Sequence, residues 1–399
     1  MHLSAFNPIF AMGTLVIAVL TAAVIAYLSP IPAPKRYGSL DGLRGVLALF
    51  VMIGHAAIWR GYAITGEWQL PPSRFYSHLG PTSVTFFFMV TAFLFGSKLL
   101  EARPGALDWT RMYVSRALRL IPLYLLFVFL LTFAALASSN FVLRESPLRF
   151  DLNVIHWLAF TMFDMPAVNR LGMAMIGGQA WSLPYEWWFY LALPMMAVFI
   201  GRRDQPRGIV IASALAAAAA AMWITSRNGW PNAVAFLGGW LAAVLMRGPH
   251  SQRVAARWWS SIIALLVLAY VARTPLASQY WLAILLSIPF LIIAGGNTVF
   301  GVLTSAPLRV LGEISYSLYL LHGIGLYIAF SLVGSATTAQ LTPAGHWLVV
   351  FAATPAIVIL CRFTYRTIEA PAIAAVDLAT ARARSLLARR LAMKSAVTH

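Results

Sequence analysis

Residues 331–360 read SLVGSATTAQLTPAGHWLVVFAATPAIVIL and contain no Asp, Glu, Lys or Arg. Residues 1–28 are equally free of these charges. An uncharged helix of about 20 residues spans the hydrocarbon of a bilayer, so both runs predict membrane-spanning helices. Of the 399 residues, 60% are hydrophobic and 10% are charged, whereas about a quarter of the residues in a soluble domain carry charge. The sequence predicts a polytopic membrane protein and excludes a disordered chain, a disulfide scaffold, a soluble enzyme and a transcription factor.

Apolar runs of spanning length recur along the whole chain without an internal repeat. The connection 139–184 is the long one, and 154–163 within it is predicted to be a short interfacial or re-entrant piece. The fold class predicted is all-α, a polytopic transmembrane helix bundle. The predicted spans are roughly 8–28, 43–60, 80–99, 117–138, 185–201, 208–225, 231–246, 257–272, 279–294, 312–333 and 345–367.

The positive charges give this bundle an orientation. Of the 29 Lys and Arg residues, 20 fall in alternate connections and the C-terminal tail, 7 fall in the other connections, and Arg44 and Arg362 lie within spans. Cytoplasmic connections carry the excess of Lys and Arg, which predicts an extracytoplasmic N-terminus and a cytoplasmic C-terminus. The net charge of +17 is then a topology signal and needs no nucleic acid. The basic tail is expected either to lie on anionic lipid or to be solvated.

Two ionisable residues in the second span are the first candidates for function, because ionisable groups in a membrane are costly. His55 follows Arg44 by eleven residues, which places both side chains on one helix face about 16 Å apart. Each residue alone has a structural explanation: Arg44 as an interface anchor and His55 as a neutral histidine bonded to a carbonyl. The in-phase pair beside Asp41 favours function.

Two later segments add further candidates at depth in the bundle. Glu186 enters the fifth span from the outer side and is expected at the depth of His55, although an aromatic belt is the simpler explanation for its Trp and Tyr neighbours. Tyr316, Tyr319 and His322 fall loosely on one face of the tenth span. The single cysteine, Cys361, excludes an internal disulfide and a thiolate metal site, and no metal site is predicted.

Basic side chains cluster at the cytoplasmic ends of the predicted spans. Arg116 and Arg119 precede the fourth span, and Arg366 closes the last one. By themselves, these charges are ordinary for cytoplasmic connections.

Four blocks in this order resemble the acyltransferase-3 family of integral membrane acyltransferases. They comprise Arg44 with His55, the WSL…E…FY segment of 181–190, the ISYSLYL…H segment of 314–322 and the YR…IE…P segment of 365–371. The resemblance implies a ten-helix acyltransferase core in residues 38–372. Residues 1–37 then form one extra N-terminal transmembrane helix and a linker, and 373–399 form the basic cytoplasmic tail, with no fused hydrolase domain.

The family moves an acyl group, often acetyl, from cytoplasmic acyl-CoA to extracytoplasmic glycans or, in some members, to small molecules. The expected localisation is the cytoplasmic (inner) membrane, and the expected partners are acyl-CoA, a glycan or lipid-linked sugar acceptor and membrane lipid. Arginines bind phosphate through forked donors, so Arg44, Arg116, Arg119 and Arg366 are assigned to CoA.

The remaining candidates are assigned to the chemistry of transfer. A sugar hydroxyl needs a base with a pKa near neutrality, which His55 would supply. Glu186 is expected to orient His55 or to bind the acceptor, and Tyr316 or His322 to donate to the oxyanion. Direct transfer and a covalent acyl-histidine relay remain open.

Two other classes of function are alternatives to acyl transfer. A transporter or flippase for a lipid-linked glycan would suit eleven spans, but the chain has no internal repeat and no acidic residue in mid-span. A structural or sensory membrane subunit explains none of the four blocks. Within acyl transfer, a small hydroxylated metabolite is the alternative acceptor.

The orientation is testable by single-cysteine labelling. In a Cys361→Ala background, Leu3→Cys is expected to react with a membrane-impermeant thiol reagent in intact cells, because the N-terminus is predicted outside. Protection of this cysteine in intact cells, with labelling only after the membrane is opened, would contradict the eleven-span topology.

Overall fold

The structure is a computed structural model that describes residues 4–29, 36–103, 105–202, 204–275 and 279–397. Within these residues the chain is helical, with no strand, which confirms the all-α helix bundle. The first half comprises α1 (Pro8–Leu28), α2 (Gly38–Thr65), α3 (Arg74–Glu101), α4 (Trp109–Ala137), α5 (Pro147–Leu158), α6 (Ala174–Gly177), α7 (Leu183–Phe199) and α8 (Arg207–Ser226).

The second half is equally helical. It comprises α9 (Trp230–Leu245), α10 (Pro249–Ala255), α11 (Trp258–Val271), α12 (Gln279–Ala294), α13 (Ala306–Glu313), α14 (Ser315–Val333), α15 (Ser335–Gln340), α16 (Pro343–Thr364), α17 (Ala370–Ala374) and α18 (Val376–Val397). A 3₁₀ turn at Gly178–Ser182 leads into α7, and a π-helical turn at Tyr365–Glu369 follows α16. Both irregular turns lie beside the candidate site described below.

Helix boundaries follow the capping residues in the sequence. The side chain of Asn7 accepts from the backbone N–H of Ile9 ahead of Pro8, and Thr342 caps α16 ahead of Pro343 in the same way. A side-chain acceptor followed by proline is a favourable helix start, because proline has no N–H to leave unpaired. At the other end of α2, Gly66 adopts the left-handed conformation that ends a helix.

Each of the eleven predicted spans coincides with a helix, but the helices differ in length. Within the part of the chain that the structure describes, seven helices are long and apolar enough to cross a membrane alone: α1, α2, α3, α4, α8, α14 and the α16 segment continued to Ala374. The pair α10 and α11, bent by 67°, would make an eighth. The helices α9 and α12 are shorter apolar helices, and α7 has 17 residues. The count of eleven spans therefore depends on these shorter helices.

The long connection 139–184 is more ordered than its sequence indicates. Helix α5 covers 147–158, so the predicted short piece at 154–163 begins inside a longer helix. After it, α6 and the 3₁₀ turn form a buried segment, in which the Gln179 side chain donates to the carbonyl of Leu320 at 2.7 Å. This segment packs inside the bundle against α14.

Helix α2 is the most buried of the seven long spans and lies at the centre of the bundle. Glycine permits its close approach to the segment that carries α13. A Cβ on Gly42 would lie 1.8 Å from the carbonyl oxygen of Leu303, and one on Gly312 would lie 2.1 Å from that of Asp41. Small residues at helix contacts allow backbones to pack closely in membranes. This contact fixes the position of α2, which carries Arg44 and His55.

Two parts of the sequence-based topology lie outside the described residues. These are the terminal residues Met1 and His399, whose sides of the membrane are predicted above, and the linker 30–35. Helix α18 lies against α4, and Arg111 pairs with Asp377 at 2.8 Å there.

The glycine contact gives a test within a single helix. Gly42→Ala is expected to lower stability by about 1–3 kcal/mol, because the added methyl overlaps a backbone carbonyl. Gly61→Ala is the matched control in the same helix, where a Cβ meets nothing within 4 Å. It is expected to be neutral or stabilising by up to about 1 kcal/mol. Thermal unfolding in detergent measures both, and equal midpoints would contradict the packing described.

Candidate active site

An interior group of charged side chains faces a cavity of about 920 Å³. Arg44 from α2, Arg116 and Arg119 from α4, and Glu186 from α7 line it, and we call this cavity the arginine cavity. Arg44 lies close enough to the other three to interact electrostatically. Three guanidinium groups against one carboxylate leave the lining net positive, and arginine binds phosphate and carboxylate groups through paired donors. The arginine cavity is therefore suited to an anionic ligand.

The fourth predicted arginine lies elsewhere. Arg366 is exposed, in the π-helical turn, and is not among the residues that line the arginine cavity. The turn instead directs Glu369 inward, where it accepts a hydrogen bond from the Ser317 hydroxyl. A π-turn inserts a residue into the helical register. The sequence-based assignment of Arg366 followed from its predicted place at the cytoplasmic end of the last span, and this structure does not bring Arg366 together with the other three arginines.

Glu186 lies with the arginines and not with His55. Its carboxylate accepts from the Tyr190 hydroxyl at 2.8 Å and, more weakly, from the Thr91 hydroxyl at 3.5 Å. Among the described residues no hydrogen bond joins Glu186 to His55, so the structure does not support Glu186 as the residue that orients His55, and binding of the acceptor by Glu186 stays a prediction.

The position of Glu186 follows from the buried segment before α7. Gln179 and Trp181, which precede Glu186 by seven and five residues, already line a cavity with His55. A further five to seven helical residues advance the chain by about 8–10 Å. The fifth predicted span thus begins deeper than its apolar run indicates, and Glu186 reaches the arginine end of the bundle.

The partner of His55 is His322. The Nδ1 atom of His55 and the Nε2 atom of His322 are 2.9 Å apart, and Nδ1 of His322 lies 2.9 Å from the carbonyl oxygen of Leu318. A carbonyl only accepts, so neutral His322 carries its proton on Nδ1 and its Nε2 accepts from Nδ1–H of His55. We assign the tautomers from this chain of bonds. His55 Nε2 then keeps a lone pair with which to accept a proton.

His55 lines a second cavity, of about 560 Å³, which we call the histidine cavity. Gln179, Trp181 and Tyr76 also line it. The ring of Trp68 meets that of His55 edge-on, with 5.7 Å between the centroids. Mostly apolar and aromatic walls with a few polar groups are typical of sites for small organic groups.

Two residues expected to stabilise an oxyanion already have partners. The Tyr316 hydroxyl donates to the carbonyl of Leu120 at 3.0 Å. His322 uses one ring nitrogen to donate to Leu318 and the other to accept from His55. Neither side chain has a free donor in this arrangement. Tyr316 lines the arginine cavity, and His322 lies beside His55.

The structure adds three residues to the site for which no role is predicted from the sequence. Tyr190 follows Glu186 by four residues, and this helical spacing was a usable signal for their hydrogen bond. Tyr319 shares a predicted helix face with Tyr316 and His322, but the sequence predicts no role for it. Gln179 carried no signal, because its place depends on the buried segment before α7. Among the described residues, no three His, Cys, Asp or Glu side chains are placed to hold a metal ion.

The sequence model of the acyltransferase-3 family, described as an acyltransferase domain, matches residues 37–366. The chain belongs to the acyltransferase-3 family. No curated protein and no solved structure matches the chain significantly. The family match begins one residue before α2, so helix α1 lies outside it, as does α18 at the other end.

Membership of this family establishes a membrane acyltransferase in general terms. Arg44, His55, Glu186 and His322 all lie within the matched residues. The arginine and histidine cavities are thus features of the acyltransferase domain itself.

Proposed function

We propose that this acyltransferase moves an acyl group, most simply acetyl, from cytoplasmic acyl-CoA to a hydroxyl of an extracytoplasmic glycan. One observation carries the proposal. A cavity lined by three arginines and a cavity lined by His55 lie in one interior, on two ends of the same face of α2. The reaction needs both features, because the donor is anionic and the acceptor hydroxyl is a weak nucleophile.

The arginine cavity is the proposed site of the donor. CoA carries phosphate groups, which Arg44, Arg116 and Arg119 would bind with charge-assisted hydrogen bonds. Glu186 offsets part of the repulsion among these cations, and its bonds to Tyr190 and Thr91 hold it in place. The step of eleven residues from Arg44 to His55 corresponds to about 16 Å of helix rise. An extended pantetheine arm covers a comparable distance, so the thioester would reach toward His55.

His55 is the proposed general base. Its Nε2 takes the proton of the acceptor hydroxyl while the hydroxyl oxygen attacks the thioester carbonyl carbon. The carbon–sulfur bond then breaks, and the departing thiolate takes the proton from His55. The products are an ester of the acceptor and free CoA thiol, with every proton accounted for. His322 positions the ring and holds the tautomer that this step requires, as a third group does in catalytic triads.

The orientation follows from the charge bias of the connections, which places the arginine end of the bundle in the cytoplasm. The histidine cavity then lies in the outer half, where an extracytoplasmic glycan has access. This arrangement requires the cytoplasmic membrane, where acyl-CoA is on one side and the growing surface glycan is on the other.

The proposal is tested with membranes that contain the protein and radiolabelled acetyl-CoA. We expect label to enter a glycan fraction, and the mass of surface glycan to rise by acetyl units in cells that express the chain. Label in a small organic-soluble product would identify a hydroxylated metabolite as the acceptor instead. Glycan that crosses the membrane with no loss of thioester would support a transporter and contradict the proposal.

Substitutions at the two ends of α2 are expected to impair different steps, donor binding at one end and turnover at the other. Arg44→Ala removes a charge-assisted contact worth about 1.5–3 kcal/mol, which weakens acyl-CoA binding roughly tenfold to hundredfold. His55→Ala is expected to keep the donor affinity and to lower turnover by about 10²–10⁴.

Calorimetry with acetyl-CoA and turnover on purified variants separate these effects. Arg111→Ala is the control on α4, because Arg111 is exposed, pairs with Asp377 and lies outside the arginine cavity. Loss of donor binding in His55→Ala with native binding in Arg44→Ala would reverse the proposed orientation of CoA. Full turnover in His55→Ala would contradict the proposed role of His55 as the general base.

His322 gives a separate test of positioning. His322→Phe is expected to lower turnover by about 10²–10⁴ with little change in donor affinity, because His55 loses the acceptor that fixes its ring. His322→Gln is expected to recover part of the rate, since its amide can accept from one side and donate to the other.

The matched control is His346→Phe. His346 is also buried and hydrogen-bonded to a carbonyl, that of Ala56 at 2.9 Å, but it lines neither cavity. The pH profile of turnover is the second measurement, because a purely structural loss leaves its shape unchanged. Equal losses in the His322 and His346 variants, with unchanged profiles, would contradict the positioning role.

A further inference from the structure

The arginine cavity and the histidine cavity share a wall. Val84 from α3 and Tyr319 from α14 line both cavities. Ser182 lines only the arginine cavity, whereas Gln179 and His55 line only the histidine cavity. Of the two shared residues, Val84 is apolar, so Tyr319 is the one that hydrogen bonds can hold in place.

The hydroxyl of Tyr319 forms two hydrogen bonds at this shared wall. The hydroxyl lies 2.9 Å from the carbonyl oxygen of Gln179 and 2.7 Å from the hydroxyl of Ser182. A tyrosine hydroxyl has one hydrogen and the carbonyl only accepts, and the Ser182 hydroxyl lies farther from that carbonyl, at 3.4 Å. Tyr319 therefore donates to Gln179 and accepts from Ser182. Both partners belong to the buried 3₁₀ turn before α7. The bonds therefore tie α14 to the segment that closes the histidine cavity.

The ring of Tyr319 packs against aromatic neighbours and has no hydrogen bond of its own. It meets the ring of Phe87 edge-on, with 5.6 Å between the centroids. In a helix, an aromatic side chain has two common χ1 rotamers. A change of rotamer would break the two hydrogen bonds at the hydroxyl.

We propose that Tyr319 is the gate between donor and acceptor, and that its ring limits the length of the acyl group that passes. The inference rests on the proposed function. With the hydroxyl bonded to Gln179 and Ser182, the thioester in the arginine cavity is separated from His55. When the ring turns away, the acyl group enters the histidine cavity and meets the acceptor.

A closed gate prevents a wasteful reaction. Water near His55 can replace the acceptor: its oxygen attacks the thioester carbon and one proton passes through His55 to the thiolate. The products are a carboxylic acid and CoA thiol, so acyl-CoA is hydrolysed without an acyl acceptor. Exclusion of water from reactive groups is a recognised use of gated sites.

Two substitutions separate the effect of the Tyr319 hydrogen bonds from the effect of its ring. Tyr319→Phe keeps the ring and loses both hydrogen bonds, so acetyl-CoA hydrolysis without acceptor is expected to rise about 25-fold, at about fivefold per bond. The ratio of butyryl-CoA to acetyl-CoA turnover is expected to stay unchanged. Tyr319→Ala also removes the ring. It is expected to raise that ratio about 16-fold, because butyryl has two more methylenes than acetyl and each is worth about fourfold.

The matched control is Tyr124→Phe. Tyr124 is buried and donates to the carbonyl of Trp157 at 2.7 Å, but it lines neither cavity. Hydrolysis is measured on purified protein in acceptor-free nanodiscs, and transfer is measured in native membranes with labelled acetyl-CoA.

The outcomes separate the gate from the function on which it rests. Wild-type protein that transfers no label in native membranes would overturn the proposed function and the gate with it. Active wild type with unchanged hydrolysis in Tyr319→Phe, or with the same rise in Tyr124→Phe, would overturn the gate alone. If Tyr319→Ala does not fold, the comparison of the two Phe variants still decides.

Discussion

The hydrogen bond between His55 and His322 is the contact on which the site depends. It joins α2 to α14 in the interior, and it has one consistent direction because the carbonyl of Leu318 accepts from the far side of His322. Such a chain specifies a tautomer without a charged partner, which avoids the desolvation cost of a buried carboxylate. The glycine contacts at Gly42 and Gly312 set the position of α2 at the centre of the bundle, from which His55 reaches its partner.

Charged side chains gather at one end of α2 and apolar side chains at the other, which suits a reaction across a membrane. Arginines, which are costly to bury, gather at one end around a cavity that an anionic ligand would fill. The histidine cavity at the other end is mostly apolar, so a base there faces little competition from solvent. In the proposed mechanism the donor is bound by charge, the reaction takes place about 16 Å away, and Tyr319 divides the two regions.

The fold class was predictable because it follows from composition and from the length of apolar runs. The pairing of Arg44 and His55 on one face was also predictable, since helical periodicity fixes it. The positions of Glu186, Arg366 and Gln179 were not. Each depends on an irregular turn, either the 3₁₀ turn before α7 or the π-turn after α16, and local sequence patterns carry little information about such turns.

The same lack of local sequence information explains why Glu186 is predicted beside His55 from the sequence, whereas the structure has His322 there. Depth counted along an apolar run placed Glu186 beside His55, whereas the structure places His322 there, from a span 267 residues away. Contacts of this kind are set by the packing of the whole bundle. Family resemblance indicated that the relevant segments belong together but not which atoms meet.

The most direct measurement is a structure of the protein with a non-hydrolysable thioether analogue of acetyl-CoA. The account predicts CoA phosphates against Arg44, Arg116 and Arg119, with the acyl end next to Tyr319 and directed toward His55. A pantetheine arm that points away from His55, or phosphates bound at the separate surface of Arg36 and Arg247, would contradict it.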